Sequence, residues 1–391
     1  MAADRIPLEI DRRQVLAHRV HVQGLDRADG LSASRARDVQ KLAILDLGVQ
    51  GSGGAAPLAL ANRLDAASHG ARSEAVAAQL DGDQLVTVWS LRGSPHVHRR
   101  RDLARMAQGV WPLSGRDAID RLGGNGAVLD ASDLDPLDGY QVAIDAMAAT
   151  VTEPMTKAQA SAAVTRALPE GLKAFCKPCG SVHVFESLFR MSALPAGLEL
   201  RTEQRTLVLA PMEGWAPFTP PSRPTQARHL MRSYLHLLGP GTEREAAALL
   251  GTSAGEVAAA WPGALVAVRV GARECWFAEG DLDALRSAPD PDLVRLLPPY
   301  DPYLRGWDRD ALVPERAHQK AIWRAIGNPG AVLVDGEVRG TWRPKANGKR
   351  LKLTVTPFAK LSKRVTVALD EEAELVAALR GATEVDLVVE T

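Results

Sequence analysis

The sequence contains few cysteines, no excess of either charge and no long apolar run. Three cysteines cannot form a disulfide framework, which favours a reducing compartment such as the cytoplasm. The 47 Lys and Arg residues balance 47 Asp and Glu residues, so evidence for nucleic-acid binding must come from local clusters. The segment 1–7 is too polar for a signal peptide, and no stretch approaches the length of a membrane span. We therefore expect a cytoplasmic protein without a membrane partner.

Sequence motifs for common cofactors are also missing. The chain contains neither a phosphate-binding P-loop nor the glycine fingerprint of a dinucleotide fold. Cys176 and Cys179, with His183 nearby, form half of a typical zinc site, because structural zinc usually has four protein ligands. The remaining cysteine, Cys275, lies in a different segment. The sequence therefore predicts no metal and no cofactor.

The clearest local pattern lies in residues 223–295. An apolar-faced helix is followed by two helices joined at a glycine turn, and then by a two-stranded hairpin. That order of elements is typical of a winged helix. The predicted elements are Thr225–Leu238, Glu243–Leu250, Ala254–Trp261, Leu265–Val270 and Glu274–Ala278.

Two weaker copies of this order precede the central module, and a β-rich segment follows it. With 46% hydrophobic residues, the chain can bury the cores of several modules. The predicted fold class is α+β, with tandem winged helix-turn-helix modules followed by a small, barrel-like antiparallel β-domain. The predicted divisions are residues 1–122, 123–222 including a linker, 223–295 and 296–391.

Turn residues define the elements of the last division. Asp335-Gly336 lies between β-rich runs and predicts a hairpin turn, and Asn347-Gly348 predicts a second turn. Further along the chain, Arg364–Leu369 predicts a strand and Glu371–Leu379 a helix. In the first division, Ala36–Leu47 predicts a helix, and in the second, Thr156 predicts the N-terminal cap of a helix over Thr156–Ala167.

A single glutamine, Gln50, lies between an apolar run and the loop Gly51–Gly54. A glutamine amide can orient a water molecule, but it is not a strong base near neutral pH. The alternative is a glutamine that only caps a helix end beside a flexible loop. The sequence of this loop alone does not decide between the two.

Two segments concentrate basic residues: the first lies at residues 92–101 and the second at residues 343–364. From Arg343 to Arg364 there are eight basic residues and no acidic one, which suits contact with a nucleic-acid backbone. The alternatives are a solvated helix start for the first segment and a charged sheet edge for the second. The candidate DNA-binding residues are Arg92, His96, His98, Arg99, Arg100 and Arg101 in the first segment, and Arg343, Lys345, Lys349, Arg350 and Lys352 in the second.

Five segments together resemble the bacterial winged-helix DNA glycosylases that excise alkylated bases and unhook DNA crosslinks. The resemblance implies tandem winged helices that grip duplex DNA. It places Gln50 at the first position of the family's catalytic Gln-x-Gln or Gln-x-Asp motif, with Ser52 at the second position, where neither an amide nor a carboxylate is present. The segments are Leu47–Gly54, Trp89–His96, Phe175–Arg190, Leu296–Leu304 and Val334–Trp342.

Three functions therefore remain open. The first is a DNA repair glycosylase that uses water, with Gln50 and Ser52 as catalytic residues and no lysine nucleophile. The second is a non-catalytic DNA-binding protein, such as a lesion sensor or regulator, because Ser52 departs from the family motif. The third is an interaction protein that binds no DNA. For the first two we expect a monomer whose partner is double-stranded, possibly damaged, DNA.

Overall fold

The computed structural model describes residues 6–390, so the first five residues of the segment considered for a signal peptide lie outside it. The chain is of the mixed α+β class predicted. Its helices are α1 (Arg12–Val22), α2 (Ala56–Ala61), α3 (His69–Leu80), α4 (Leu103–Val110), α5 (Gly115–Arg121), α6 (Gly126–Asp130), α7 (Pro136–Thr150), α8 (Lys157–Ala167), α9 (Glu186–Ala193), α10 (Arg228–Leu238), α11 (Glu243–Leu250), α12 (Ala254–Val257), α13 (Leu282–Ser287), α14 (Arg309–Leu312), α15 (Arg316–Ile322) and α16 (Lys363–Leu379). Across residues 6–390, no helix combines the length and the apolar character needed to cross a bilayer.

The strands are short and form several small sheets. They are β1 (Leu8–Glu9), β2 (Val49–Gln50), β3 (Leu85–Trp89), β4 (Pro95–Arg99), β5 (Met155–Thr156), β6 (Lys173–Cys176), β7 (Ser181–Val184), β8 (Leu198–Glu203), β9 (Thr206–Pro211), β10 (Leu265–Val270), β11 (Arg273–Ala278), β12 (Val294–Leu297), β13 (Gly330–Val334), β14 (Glu337–Asn347), β15 (Arg350–Pro357) and β16 (Glu384–Val389).

The chain divides into two compact units that are each built from separate stretches of sequence. The four divisions predicted from the sequence remain a prediction. The three helices and the hairpin of the predicted central module all form, but α11 and α12 belong to unit 2 and the β10–β11 hairpin to unit 1. Unit 1 comprises Met1–Leu85, Arg232–Thr242 and Gly263–Thr391, and unit 2 comprises Val86–Met231 and Glu243–Pro262.

Unit 1 contains a five-stranded sheet in the order β12-β13-β14-β15-β16. The predicted turn at Asp335-Gly336 is confirmed: both residues have positive φ, 51° and 80°, as a tight type I′ hairpin turn requires. The β14–β15 hairpin also forms as predicted. The sheet is not wholly antiparallel, however, because β16 pairs in parallel with β15. A parallel neighbour needs a long crossover, and α16 supplies it.

The strand predicted at Arg364–Leu369 is wrong, since these residues lie inside α16. Three β-branched residues in a row favoured a strand. Ser362 instead caps the helix, its hydroxyl accepting a hydrogen bond from the Val365 amide at 3.4 Å. Buried residues then recur every three or four positions, which is the helical period: Val365, Leu369, Glu372, Ala373 and Val376.

Two further parts of unit 1 differ from the sequence expectation. The stretch predicted as one helix, Ala36–Leu47, forms two 3₁₀ segments, Ala36–Lys41 and Ala43–Asp46. The backbone leaves the helical region at Leu42, with ψ at 120°, which separates the two. At the N-terminal end, β1 adds to the β10–β11 hairpin as a parallel third strand. No local signal in the sequence indicates that long-range pairing.

Unit 2 is organised around a core of large apolar side chains from its helices and sheets. Trp89, Trp111, Tyr140 and Phe189 are among its buried members. The predicted cap at Thr156 is confirmed: the Thr156 hydroxyl accepts from the Gln159 amide while the Gln159 side chain accepts from the Thr156 amide. The unit also contains a three-stranded sheet in the order β5-β9-β8 and a separate β6–β7 hairpin.

Candidate active site

The Gln50 side chain is held by hydrogen bonds at both ends of its amide. Its Nε2 donates to the Ser52 hydroxyl at 3.1 Å, and its Oε1 accepts from the Arg305 guanidinium. A guanidinium can only donate, so the amide oxygen must face Arg305 and the NH₂ group must face Ser52. The two residues predicted as a catalytic pair are therefore in contact, with the amide in one defined orientation.

The loop after Gln50 depends on glycine for its backbone conformation. Gly53 and Gly54 have φ of 65° and 72°, in the left-handed region that side-chain-bearing residues rarely adopt. An added Cβ at either position would meet open space. The loop therefore needs glycine for its backbone conformation and not to avoid a clash.

Arg305 is placed by a buried ion pair between Arg63 and Asp301, a residue of the segment Leu296–Leu304 that resembled the glycosylases. Asp301 caps the 3₁₀ turn Pro302–Arg305 by accepting from the Tyr303 amide at 2.9 Å. Its carboxylate also accepts two hydrogen bonds from Arg63, at 2.8 and 3.0 Å, and both side chains are fully buried. Arg63 follows α2, the helix that begins just after the glycine loop. One bidentate pair therefore fixes both the loop and Arg305.

A pocket of about 340 Å³ opens beside the loop, within unit 1. This volume is at the lower end of the range of roughly 300–1,000 Å³ for small-molecule sites. Tyr300 lines it with φ of 64°, in the left-handed region that a bulky side chain rarely adopts. Other residues that line the pocket include Ser52, Asn328, Trp342 and Arg380.

Trp342 and Asp301, which matched the family pattern, are structural residues in this fold. Trp342 is 1% exposed, and its indole donates to the Leu297 carbonyl at 2.8 Å. Gly330 lies against the indole so closely that a Cβ there would fall 2.2 Å from Nε1. These contacts hold Trp342 in place in the lining of the pocket.

In the first basic segment, several side chains are buried. His96, His98 and Arg99 are buried, and Arg99 pairs with Asp102 at 3.1 Å. The His98 ring shares a hydrogen bond with the Ser90 hydroxyl at 2.9 Å, and burial lowers the His98 pKa to about 3. His98 is therefore neutral near pH 7.

The other members of that segment lie nearer the surface. Arg92 is exposed, and its stem packs over Gly251. Arg100 pairs with Glu199 at 3.0 Å, and Arg101 is exposed. The predicted DNA contacts of this segment remain predictions, and its exposed members are Arg92 and Arg101.

The second basic segment forms the exposed β14–β15 hairpin. Arg343, Lys345, Lys349, Arg350 and Lys352 are all exposed. Lys345 lies directly opposite Lys352, which concentrates positive charge on one face. The hairpin thus presents the candidate DNA-binding side chains to solvent as expected.

An acidic strand beside the hairpin was not apparent from the basic segment alone. Glu384 of β16 lies opposite Arg350 and binds its guanidinium at 2.7 Å. Asp386 lies opposite Lys352 in the same parallel pairing. Part of the positive charge of the hairpin is therefore offset within the sheet.

A family model described as "DNA glycosylase AlkZ-like" matches residues 39–379. Among solved structures, the chain is similar to the DNA glycosylase AlkZ of Streptomyces sahachiroi, with a TM-score of 0.72, 20% sequence identity and coverage of 98% of this chain and 100% of that one. At that identity the structural likeness shows the fold. No curated protein sequence gives a significant match.

Proposed function

The chain belongs to the AlkZ-like DNA glycosylase family, and we propose that it releases damaged bases from DNA by directing water at the N-glycosidic bond. The observation that carries the proposal is the fixed amide of Gln50, in contact with Ser52 beside an open pocket. Both polar groups come from the positions that resembled the catalytic motif of the family. Arg305 adds a positive group that the motif itself does not contain.

In the proposed reaction, the oxygen of water bonds to C1′ of the sugar, while the bond from C1′ to the base breaks and its electron pair leaves with the base. The Gln50 Oε1 has a second lone pair, and the Ser52 hydroxyl can still donate, so together they can orient the water. Neither group is ionised near neutral pH, so the water loses its proton to solvent after attack. The site therefore contributes mainly by positioning the water and less by general-base catalysis.

This chemistry favours lesions that leave easily. A neutral purine needs protonation before it departs, whereas an N-alkylated purine already carries a positive charge. A site with an amide and a hydroxyl, and no carboxylate in the motif, is therefore suited to cationic alkylated bases. We propose alkylated purines, including those within crosslinks, as the substrate class.

We propose that the protein binds double-stranded DNA as a monomer in the cytoplasm. The helices and hairpins of the predicted modules would act as tandem winged helices. Phosphate contacts are proposed from the exposed residues Arg92, Arg101, Lys345, Lys349 and Lys352, because exposed unburied charge is what releases counterions from DNA. The buried His96, His98 and Arg99 would stabilise β4, the strand of unit 2 that lies between Arg92 and Arg101 in the sequence.

The test is base release from duplex DNA that contains N7-methylguanine, measured with Gln50→Ala. We expect release by the unaltered protein and a loss of roughly 100-fold or more in the variant. Gln108→Ala is the matched control, since Gln108 is a half-buried glutamine that donates to the Thr219 carbonyl in unit 2. Ser52→Asp, which recreates the family motif, should raise the rate. Equal release by the unaltered protein and Gln50→Ala would contradict the proposal.

A second candidate, a non-catalytic DNA-binding protein, is favoured by Ser52 itself, which lacks the carboxylate or amide of the family motif. That protein would bind duplex DNA with strong salt dependence and release no base, and Ser52→Asp would be needed for any activity. A chain that shows no salt-dependent DNA affinity would instead support the interaction protein considered from the sequence.

A further inference from the structure

The exposed β6–β7 hairpin of unit 2 gathers two thiols and an imidazole. Cys176 ends β6, Cys179 lies in the turn, and His183 is on β7. One ligand atom from each residue lies within 4.8 Å of the other two. On a tetrahedral zinc, with bonds of about 2.0–2.3 Å, two ligand atoms are about 3.5 Å apart, so small side-chain rotations suffice to bring the three together.

The backbone holds the thiols in this arrangement. Pro178 fixes one φ in the turn, and Gly180 adopts a φ of 64° that few other residues tolerate. The Gly180 amide donates to the Cys176 carbonyl at 2.9 Å, which closes the turn and keeps Cys176 and Cys179 on the same side. The turn thus matches the compact Cys-x-x-Cys loops that bind metals.

His183 is oriented as a metal ligand would be. Its Nδ1 is 2.7 Å from the Val184 carbonyl, so Nδ1 carries the proton and donates. In the neutral imidazole, the other nitrogen, Nε2, is therefore unprotonated and able to bind a metal. A backbone carbonyl that fixes the tautomer in this way is the usual outer partner of a metal-bound histidine.

We propose that Cys176, Cys179 and His183 bind one zinc ion, with water or a further group as the fourth ligand. Two thiolates and an imidazole select zinc over magnesium and calcium, which prefer oxygen ligands. The sequence predicted no metal because a second cysteine pair is missing. The three-residue cluster supplies three of the four ligands without that pair.

The proposed ion would stabilise the turn end of the hairpin. The other end is already anchored, because Val184 is buried in the core of unit 2 and its amide donates to the Thr165 hydroxyl at 3.1 Å. An isolated two-stranded hairpin is marginally stable in water. In this one, the cross-strand pair Phe175 and Val182 is exposed, at 63% and 52%, and does not contribute to a core. A metal that links the end of β6, the turn and β7 would hold both strands in register.

The experiment uses the full chain, purified under reducing conditions and dialysed against a weak chelator, with bound zinc measured by elemental mass spectrometry. We expect about one zinc per chain, and its loss in Cys176→Ser, Cys179→Ser and His183→Ala. Cys275→Ser is the matched control and should keep the metal, because Cys275 is a buried thiol elsewhere in the chain. After exchange with cobalt, a sulfur-to-metal charge-transfer band should appear, and His183→Cys should strengthen it.

Hydrogen exchange provides a second measurement. Removal of the metal should speed exchange of the β6–β7 amides, including Gly180, while amides of the β8–β9 pair stay protected. The proposal is overturned if the reduced chain holds no zinc, if Cys176→Ser holds as much as Cys275→Ser, or if cobalt gives only the weak spectrum of a water-ligated ion. A Cys176–Cys179 disulfide that persists under the reducing conditions would overturn it as well.

Discussion

The strand β4 buries its basic side chains, whereas the β14–β15 hairpin exposes them. His98 is fully buried in unit 2, and Arg99 is 6% exposed and paired with Asp102. On the hairpin, Lys345 and Lys352 lie opposite each other in solvent. A buried basic group must be neutral or paired, while an exposed one keeps its charge at little cost. Of these two regions, the hairpin is therefore the one whose cations are exposed and able to attract DNA phosphates.

The largest expected effect comes from charge placed at the buried position. His98→Arg puts a permanent cation where the neutral imidazole lies, and we expect a loss of about 3–5 kcal/mol in the free energy of unfolding. Lys345→Glu reverses a charge on the exposed hairpin and should change stability by less than about 0.5 kcal/mol. Urea unfolding measures both. Similar losses in the two variants would mean that the regions do not differ in the way described.

Acid should destabilise the buried region next most strongly. The His98 pKa is lowered to about 3 by burial, and the His18 pKa to about 4 by burial and then by His236. An unfolded histidine takes up its proton near pH 6.5, so stability is complete above that pH and is lost as pH falls towards the folded pKa. For His98 the loss reaches about 3 kcal/mol by pH 4.

The check is urea unfolding at a series of pH values in the unaltered chain and in His98→Gln. The variant should have a shallower pH dependence between pH 6.5 and 4, with a remaining slope that includes His18 and the carboxylates. Lys352→Gln, on the exposed hairpin, serves as the control and should leave the slope unchanged. An unaltered slope in His98→Gln would show that the imidazole is protonated in the folded chain.

A basic residue outside both regions should matter most for the reaction. Arg305→Met removes the donor that fixes the Gln50 amide, so the amide can turn and the water loses its position. We expect kcat for base release to fall roughly 100-fold, with little change in KM. Arg305→Lys keeps a single donor and should lose less. A fall in DNA affinity without a change in kcat would assign Arg305 to binding instead.

The sequence signals that are confirmed depend on local interactions, and the contacts that the sequence did not reveal join distant residues. Asp335-Gly336 and the Thr156 cap each depend on residues within a few positions, and both are confirmed. Arg305 and Gln50 are 255 residues apart, and only the fold brings them together. Charge density alone also could not tell which side of a strand a basic residue faces, since that depends on the packing around β4. For the same reason, the sequence did not reveal that β16, with its acidic residues, lies beside the hairpin.

Within the hairpin, the smallest effects should separate its residues by their neighbours. Each phosphate contact that is lost should lower the slope of log affinity against log salt by about 0.9 and weaken DNA binding a few-fold. Lys345→Ala should show this loss in full. Arg350→Ala should show less, because Glu384 already binds that guanidinium at 2.7 Å and offsets its charge. Glu384→Gln should then strengthen DNA binding, since it leaves Arg350 uncompensated. If Arg350→Ala and Lys345→Ala reduce the slope equally, the ion pair opens on contact with DNA and β16 does not limit the charge of the hairpin.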